Sequence, residues 1–233
     1  MDPVLLEAVR SGDRRSLSRA ITQVEQSGAE TGLPAPESVI GITGPPGAGK
    51  STLISGLIDV IRSHGETVAV LVVDPSSPVT GGALLGDRIR MQTHVDDEGV
   101  YVRSMATRGH LGGLGPATRE VVALLAVAGF DRLIVETVGV GQSEVEIMDL
   151  ADVVVLVVGP SWGDQVQADK AGIVEIADVF VVNKGDRGGA NDVERALRET
   201  AAARDVEILV TTATTGEGVV RVLDEIDRLA GLA

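Results

Sequence analysis

One stretch constrains the fold of this chain more than any other. Residues 44–51 read GPPGAGKS and match the phosphate-binding pattern G-x-x-x-x-G-K-[ST] at every fixed position. The apolar residues 39–43 before it are typical of a strand, and residues 52–58 after it have helical spacing. Glycines let such a loop curl so that its backbone N–H groups, with the positive end of the following helix dipole, face phosphate oxygens. The stretch therefore predicts a strand, loop and helix that bind a nucleotide.

Each residue of this loop has an expected role. The Lys50 ammonium is expected to reach the β- and γ-phosphates, and the Ser51 hydroxyl to ligate Mg²⁺. The other predicted nucleotide contacts come from the loop and the first helical turn, at Gly44, Pro45, Pro46, Gly47, Ala48, Gly49 and Thr52.

The composition favours a buried parallel sheet and excludes several kinds of site. Of 233 residues, 44% are hydrophobic but only 2% aromatic, so the core must consist of Val, Ile, Leu and Ala. A net charge of −14 offers no basic surface for nucleic acid. The absence of cysteine excludes disulfides and thiolate metal sites. With no leader and no apolar run of about 18 residues, we expect a cytoplasmic protein that does not bind membranes.

The order of apolar patterns predicts the architecture. Residues 1–36 form a helical hairpin and connector, an N-terminal appendage to a P-loop domain at residues 37–233. Strands and helices alternate in that domain, which predicts an α/β fold whose mostly parallel central sheet has helices on both faces and binds ligands at the strands' carboxyl ends. Residues 74–115 interrupt the alternation with a long loop region that has only a short strand near residues 100–102. The predicted strands are 67–73, 132–138, 152–158, 179–182 and 206–211, and the helices 50–62, 117–128, 165–176, 191–203 and 218–230.

Three acids follow or interrupt these patterns. Asp74 ends a predicted strand and Asp87 lies on a glycine-rich loop, where each either ligates Mg²⁺ or caps a helix. Glu136 lies in an apolar run with Gly139 three residues later, so E-x-x-G stands where many nucleotide hydrolases have D-x-x-G. Because burial of an unpartnered carboxylate is costly, Glu136 is expected to serve Mg²⁺ or the attacking water, and the Gly139 amide to sense the γ-phosphate.

A second motif favours GTP over ATP. Asn183, Lys184 and Asp186 form N-K-x-D directly after a predicted strand. The Asp186 carboxylate can accept two hydrogen bonds from guanine that adenine cannot supply, while Asn183 can bond the outer edge of the base and the Lys184 stem can cover its face. Backbone amides at Thr212 and Ala213, after the last strand, are predicted to meet the guanine oxygen.

The hydrolytic machinery is incomplete in the sequence. Small signalling GTPases use a glutamine directly after the D-x-x-G glycine to orient water, but Val140 occupies that position here. Gln142 and Arg108 lack the corresponding spacing. We therefore expect slow hydrolysis that a partner accelerates.

Together these stretches closely resemble the MeaB/ArgK group of P-loop GTPases, which includes human MMAA and serves adenosylcobalamin-dependent acyl-CoA mutases. The resemblance implies a GTP- and Mg²⁺-dependent chaperone that gates cofactor loading and protects or reactivates the mutase. It also implies that Asp74, Asp87 and Glu136 belong to the Mg²⁺ and nucleotide machinery. The matching stretches are residues 11–22, 44–51, 74–77, 80–82, 85–91, 103–113, 136–144 and 183–186.

The resemblance also implies a relay to the mutase at residues 159–170, where Lys170 matches a lysine tied to mutase-stimulated hydrolysis. Gln165 and residues 169–171 depart from the family pattern in this segment. Family members continue into a C-terminal arm through which they dimerise, whereas this sequence ends at Ala233, so homodimerisation stays open.

Two other functions are compatible with the phosphate loop. Nickel-inserting accessory GTPases share it, but they carry cysteine and histidine ligands, and this chain has no cysteine. A transport-associated kinase would need a phosphoacceptor site and a catalytic base, which the sequence does not display.

Overall fold

The computed structural model describes residues 1–74, 94, 96–106, 114, 116–137, 146–162 and 177–232. Seven parallel strands form one sheet in the order β3-β2-β4-β1-β5-β6-β7, and six α-helices are described around it. None of the described helices is long and apolar enough to cross a bilayer. The strands are β1 (Val39–Thr43), β2 (Val68–Asp74), β3 (Val100–Ala106), β4 (Arg132–Thr137), β5 (Val153–Val158), β6 (Val179–Asn183) and β7 (Glu207–Thr211). The helices are α1 (Pro3–Arg10), α2 (Arg14–Ser27), α3 (Lys50–Ser63), α4 (Pro116–Val127), α5 (Ala190–Thr200) and α6 (Val219–Ala230), with 3₁₀ turns at Ile147–Asp149 and Pro160–Trp162.

Helices cover both faces of the sheet, which confirms the predicted α/β class. The odd-numbered residues of β5 pack in a cluster with α3 and α6. Its even-numbered residues point to the other face, where one cluster contains α1, α2 and α4 and another contains α5. A strand buried on both sides must be apolar throughout, and β5 reads VVVLVV.

The N-terminal hairpin packs into the core of the α/β domain. Asp2 and Asp13 cap its two helices by accepting hydrogen bonds from the amides of Val4 and Ser16. The apolar face of α2 joins β2 and α4 in one buried cluster. The hairpin thereby helps to cover one face of the sheet.

The third strand differs from its prediction. Residues 100–102 were expected to form only a short strand, but β3 extends to Ala106 and pairs with β2 over seven residues. Arg103 and Ser104 interrupt the apolar run, so the sequence pattern does not predict a strand beyond residue 102. Arg103 is accommodated because its guanidinium donates to Glu25 of α2 at 2.8 Å.

Candidate nucleotide-binding site

The loop between β1 and α3 lies against the carboxyl ends of β5 and β6. Gly44 has φ 137°, and a Cβ there would lie 2.0 Å from the Val157 carbonyl oxygen of β5. Gly49 has φ 97°, and a Cβ there would lie 2.3 Å from Asn183 Nδ2 at the end of β6. These approaches explain why the loop needs glycine at both positions.

The loop curls around the Lys50 side chain. Lys50 is buried, and its Nζ donates to the Gly44 carbonyl oxygen at 2.8 Å and to that of Pro45 at 3.4 Å. Because α3 begins at Lys50, the first amides of that helix, including those of Ser51 and Thr52, lie at the same end of the sheet. A cation and helix amides therefore converge where the loop was predicted to hold phosphate.

Ser51 and Glu136 meet behind the loop. Glu136 lies on β4 opposite Ile42 of β1, and it accepts a hydrogen bond from Ser51 Oγ at 3.1 Å. Both residues are buried, with 4% and 2% exposure respectively. Hydroxyl and carboxylate oxygens are the donors that a hard divalent cation prefers, so these two side chains fit Mg²⁺. Asp74 ends β2 beside β4, but its side chain lies outside the described set.

Asn183 connects the two halves of the predicted site. Its Nδ2 donates to the Ala48 carbonyl oxygen at 3.0 Å and to that of Gly49 at 3.4 Å. Its Oδ1 accepts hydrogen bonds from Ala213 N at 3.1 Å and from Thr211 Oγ1 at 3.2 Å. The side chain, which is 2% exposed, thus joins the phosphate loop to the end of β7.

Lys184 makes a second link to the phosphate loop. It adopts the left-handed backbone conformation, with φ 63°, which is uncommon for a residue with a Cβ. Its Nζ donates to the Gly47 carbonyl oxygen, so its stem crosses between the two motifs. Asp186 follows two residues later in the same loop and is exposed.

The loop after β7 carries the two backbone amides that were predicted to contact the base. Thr212 N donates to the Glu217 carbonyl oxygen at 3.0 Å, which closes this loop into a turn. The Ala213 amide was predicted to meet the guanine oxygen, and in the structure it donates to Asn183. The N–H groups of both predicted contacts, Thr212 and Ala213, thus already donate to acceptors within the protein.

A cavity of about 610 Å³ lies beside the phosphate loop. Its described lining comes from the loop, from the segment after β5 and from the turn after β6: residues 45–48, residues 159–162, Lys184, Arg187 and Gly188. The first part of the predicted relay segment thus lies next to the phosphate loop. Arg187, which the sequence analysis assigned no role, borders this cavity and directly follows Asp186.

Several predicted residues lie outside the described part of the chain. These are Asp87, Gly139 and Lys170, together with the considered Arg108 and Gln142. Within the described ranges, no three Asp, Glu, His or Cys side chains are grouped closely enough to hold a metal ion.

Shifted pKa values occur at the opposite end of the sheet. Hydrogen bonds from Arg62 and from the Gly99 amide lower the pKa of Asp97. Burial acts to lower the pKa of Arg132, but hydrogen bonds to Glu66 and Asp227 outweigh burial and raise it. These ion pairs lie near the amino ends of β2, β3 and β4.

The loop after β1, the buried lysine and the Asn183 and Lys184 links define a P-loop nucleotide-binding protein. The family model described as methylmalonyl Co-A mutase-associated GTPase MeaB matches residues 5–232. The chain belongs to this family of GTPases.

Similar proteins span bacteria, archaea and animals. A putative GTPase of Pyrococcus horikoshii is 48% identical over 97% of this chain and 77% of its own length. The mitochondrial methylmalonic aciduria type A homolog of Mus musculus is 38% identical over 79% of this chain and 47% of its own length.

Solved structures agree on the fold. The structure titled LAO/AO transport system kinase has a TM-score of 0.75 and 26% identity, with 98% of this chain and 74% of that one covered. The hydrogenase maturation factor HypB from Archaeoglobus fulgidus has a TM-score of 0.64 and 19% identity, with 93% and 98% covered. At that identity, HypB supports the fold alone.

Proposed function

We propose that this chain is a Mg²⁺-dependent GTPase that acts as a chaperone for an adenosylcobalamin-dependent acyl-CoA mutase. The observation that carries the mutase assignment is the family match over residues 5–232. A mouse relative named for methylmalonic aciduria supports the same partner class. The chaperone would gate cofactor loading and protect or reactivate the mutase.

The phosphate half of the site would position GTP for hydrolysis. Lys50 Nζ would move its hydrogen bonds from the Gly44 and Pro45 carbonyls to β- and γ-phosphate oxygens, which are stronger acceptors. Ser51 and Glu136 would hold Mg²⁺, assisted by Asp74 and Asp87, and the ion would neutralise phosphate charge when bound. The Gly139 amide would report the presence of the γ-phosphate.

The base half would select guanine. The Asp186 carboxylate would accept hydrogen bonds from guanine N1–H and its amine, with the Lys184 stem over the ring. A direct test compares the affinities of Asp186→Asn for GTP and for XTP. Xanthine has a carbonyl group where guanine has its amine, and the asparagine amide can donate a hydrogen bond to that carbonyl oxygen. Preference should change from GTP to XTP, and unchanged GTP preference would contradict this assignment.

The decisive functional assay is steady-state GTP turnover by the chain alone and with a cobalamin-dependent acyl-CoA mutase. We expect slow turnover alone and strong stimulation by the mutase. Lys50→Ala should abolish both rates, whereas Lys170→Ala should lower only the stimulated rate. Arg195→Ala is a matched control, because Arg195 is an exposed residue of α5 that pairs with Asp192.

Absence of stimulation and of co-elution with any such mutase would contradict the chaperone proposal. The nickel-inserting alternative would then predict nickel binding by the purified chain, which isothermal titration would detect. Both the mutase chaperone and the nickel-inserting GTPase require GTP. A preference for ATP over GTP would therefore contradict both functions.

A further inference from the structure

The cavity beside the phosphate loop adjoins the proposed GTP site without containing its core. Lys50, Ser51 and Glu136 are not among its described lining residues. Residues 45–48 of the phosphate loop, which were predicted to contact the nucleotide, line the cavity, and so does Lys184, whose Nζ donates to Gly47. A ligand in this cavity would therefore contact a residue that tethers the phosphate loop.

The lining has apolar walls and two cations. The apolar lining residues include Pro45, Pro46, Pro160 and the buried Trp162. Lys184 and Arg187 bring positive charge, and no acid occurs among the described lining residues. Arg187 is exposed and makes no salt bridge within the described part of the chain. Such a lining is unusual in a chain of net charge −14, and it suits an anion.

We propose that this cavity receives a carboxylate side chain of a protein partner, and that its binding accelerates nucleotide release by drawing Lys184 away from the phosphate loop. The proposal rests on guanine-nucleotide binding at the proposed site, and it does not depend on which mutase is served. An arginine supplied by a partner would meet two like charges here, so this cavity does not suit a cationic group.

The coupling follows from competition for one ammonium. Lys184 Nζ donates to a neutral carbonyl oxygen of Gly47, and an ionised carboxylate is a stronger acceptor. The Arg187 amide donates to the Lys184 carbonyl oxygen at 2.9 Å, and both residues line the cavity, so we place the carboxylate between their two cationic groups. When Lys184 turns toward the cavity, the phosphate loop loses its bond to Lys184 and keeps only its bonds to Asn183 at the end of β6.

The test uses the full chain loaded with a fluorescent GDP analogue and an N-acetylated pentaglutamate amide at matched ionic strength. The peptide should accelerate release by about tenfold, equivalent to about 1.4 kcal/mol. Pentaglutamine should not accelerate it. Trp162 is the only tryptophan, so its fluorescence, measured separately with unlabelled GDP, reports occupancy of the cavity.

Arg187→Ala should abolish the acceleration and leave basal release unchanged, whereas Arg195→Ala should retain both. Equal effects of the two peptides, or no effect of pentaglutamate, would overturn the proposal. A changed basal release rate in Arg187→Ala would also overturn it, because the cavity would then belong to the nucleotide site. Failure of the unmodified chain to bind the GDP analogue would instead contradict the proposed function.

Discussion

Asn183→Ala is the substitution that the structure makes most informative. The amide group joins the phosphate loop to the end of β7 through Ala48, Thr211 and Ala213, at distances of 3.0 to 3.2 Å. Alanine removes both its donor and its acceptor and leaves buried backbone groups without these bonds. Because Asn183 was also predicted to contact the base, the free energy of unfolding measured without nucleotide is the quantity that isolates the connection.

The expected magnitude follows from the hydrogen bonds that are lost. Each is worth about 1 kcal/mol, so the free energy of unfolding should fall by about 3 kcal/mol. Because the same side chain fixes the loop that meets phosphate, GDP affinity should fall at least about tenfold, or about 1.4 kcal/mol. Urea unfolding followed by far-UV circular dichroism gives the first quantity, and titration with a fluorescent GDP analogue gives the second.

Asn191→Ala serves as the matched control, because Asn191 is exposed on α5. It should leave both quantities near their original values. Asn183→Asp should be more harmful than alanine, since it keeps the acceptor but places a buried carboxylate against the Ala48 carbonyl oxygen. If neither the free energy of unfolding nor the GDP affinity changes in Asn183→Ala, Asn183 does not link the phosphate loop to the end of β7.

Three further predictions test other parts of the fold. Gly44→Ala should abolish GDP binding, measured by the same titration, because its Cβ would lie 2.0 Å from the Val157 carbonyl oxygen; retained binding would contradict the tight packing of the loop. Arg132→Ala should lower the free energy of unfolding by about 3 kcal/mol in urea, because it leaves two partly buried carboxylates without their cation, and a loss near zero would contradict this. Asp97→Asn should be less stable than the original chain at pH 6, since Arg62 and the Gly99 amide lower the pKa of that carboxyl group in the folded state. This stabilisation is present above the pKa that Asp97 has in the unfolded chain and is lost as pH falls through its lower pKa in the folded protein. The difference in melting temperature between the original chain and Asp97→Asn should therefore narrow below about pH 4. A difference that widens there would contradict the argument.

Apolar patterns predicted the parts of the fold that are buried on both sides. β5 has no polar residue, and both its type and its position follow from that. β3 was underestimated because it is an edge strand whose polar Arg103 is compensated by Glu25 of α2. That compensation depends on a contact between residues far apart in sequence, and no local pattern contains it.

The candidate site shows the same division between local and distant information. Lys50 and Ser51 belong to a motif with fixed spacing, so their positions were predictable. The cost of burying a carboxylate predicted that Glu136 needs a partner, but the hydrogen bond that it accepts from Ser51 was not predicted. The bonds of Asn183 to Ala48 and Ala213 were not predicted, because they depend on the order of strands in the sheet.

The parallel strands separate the groups that stabilise the fold, at their amino ends, from those that would bind nucleotide, at their carboxyl ends. Arg132 begins β4 and Glu136 lies four residues later, a separation of about 13 Å along an extended strand. Substitutions so far apart without shared partners contribute additively to stability. Arg132 contacts Glu66 and Asp227 at the amino end, whereas Glu136 contacts Ser51 at the carboxyl end. Loss of the Arg132 ion pairs should therefore destabilise the fold while GDP affinity, measured well below the unfolding transition, stays unchanged.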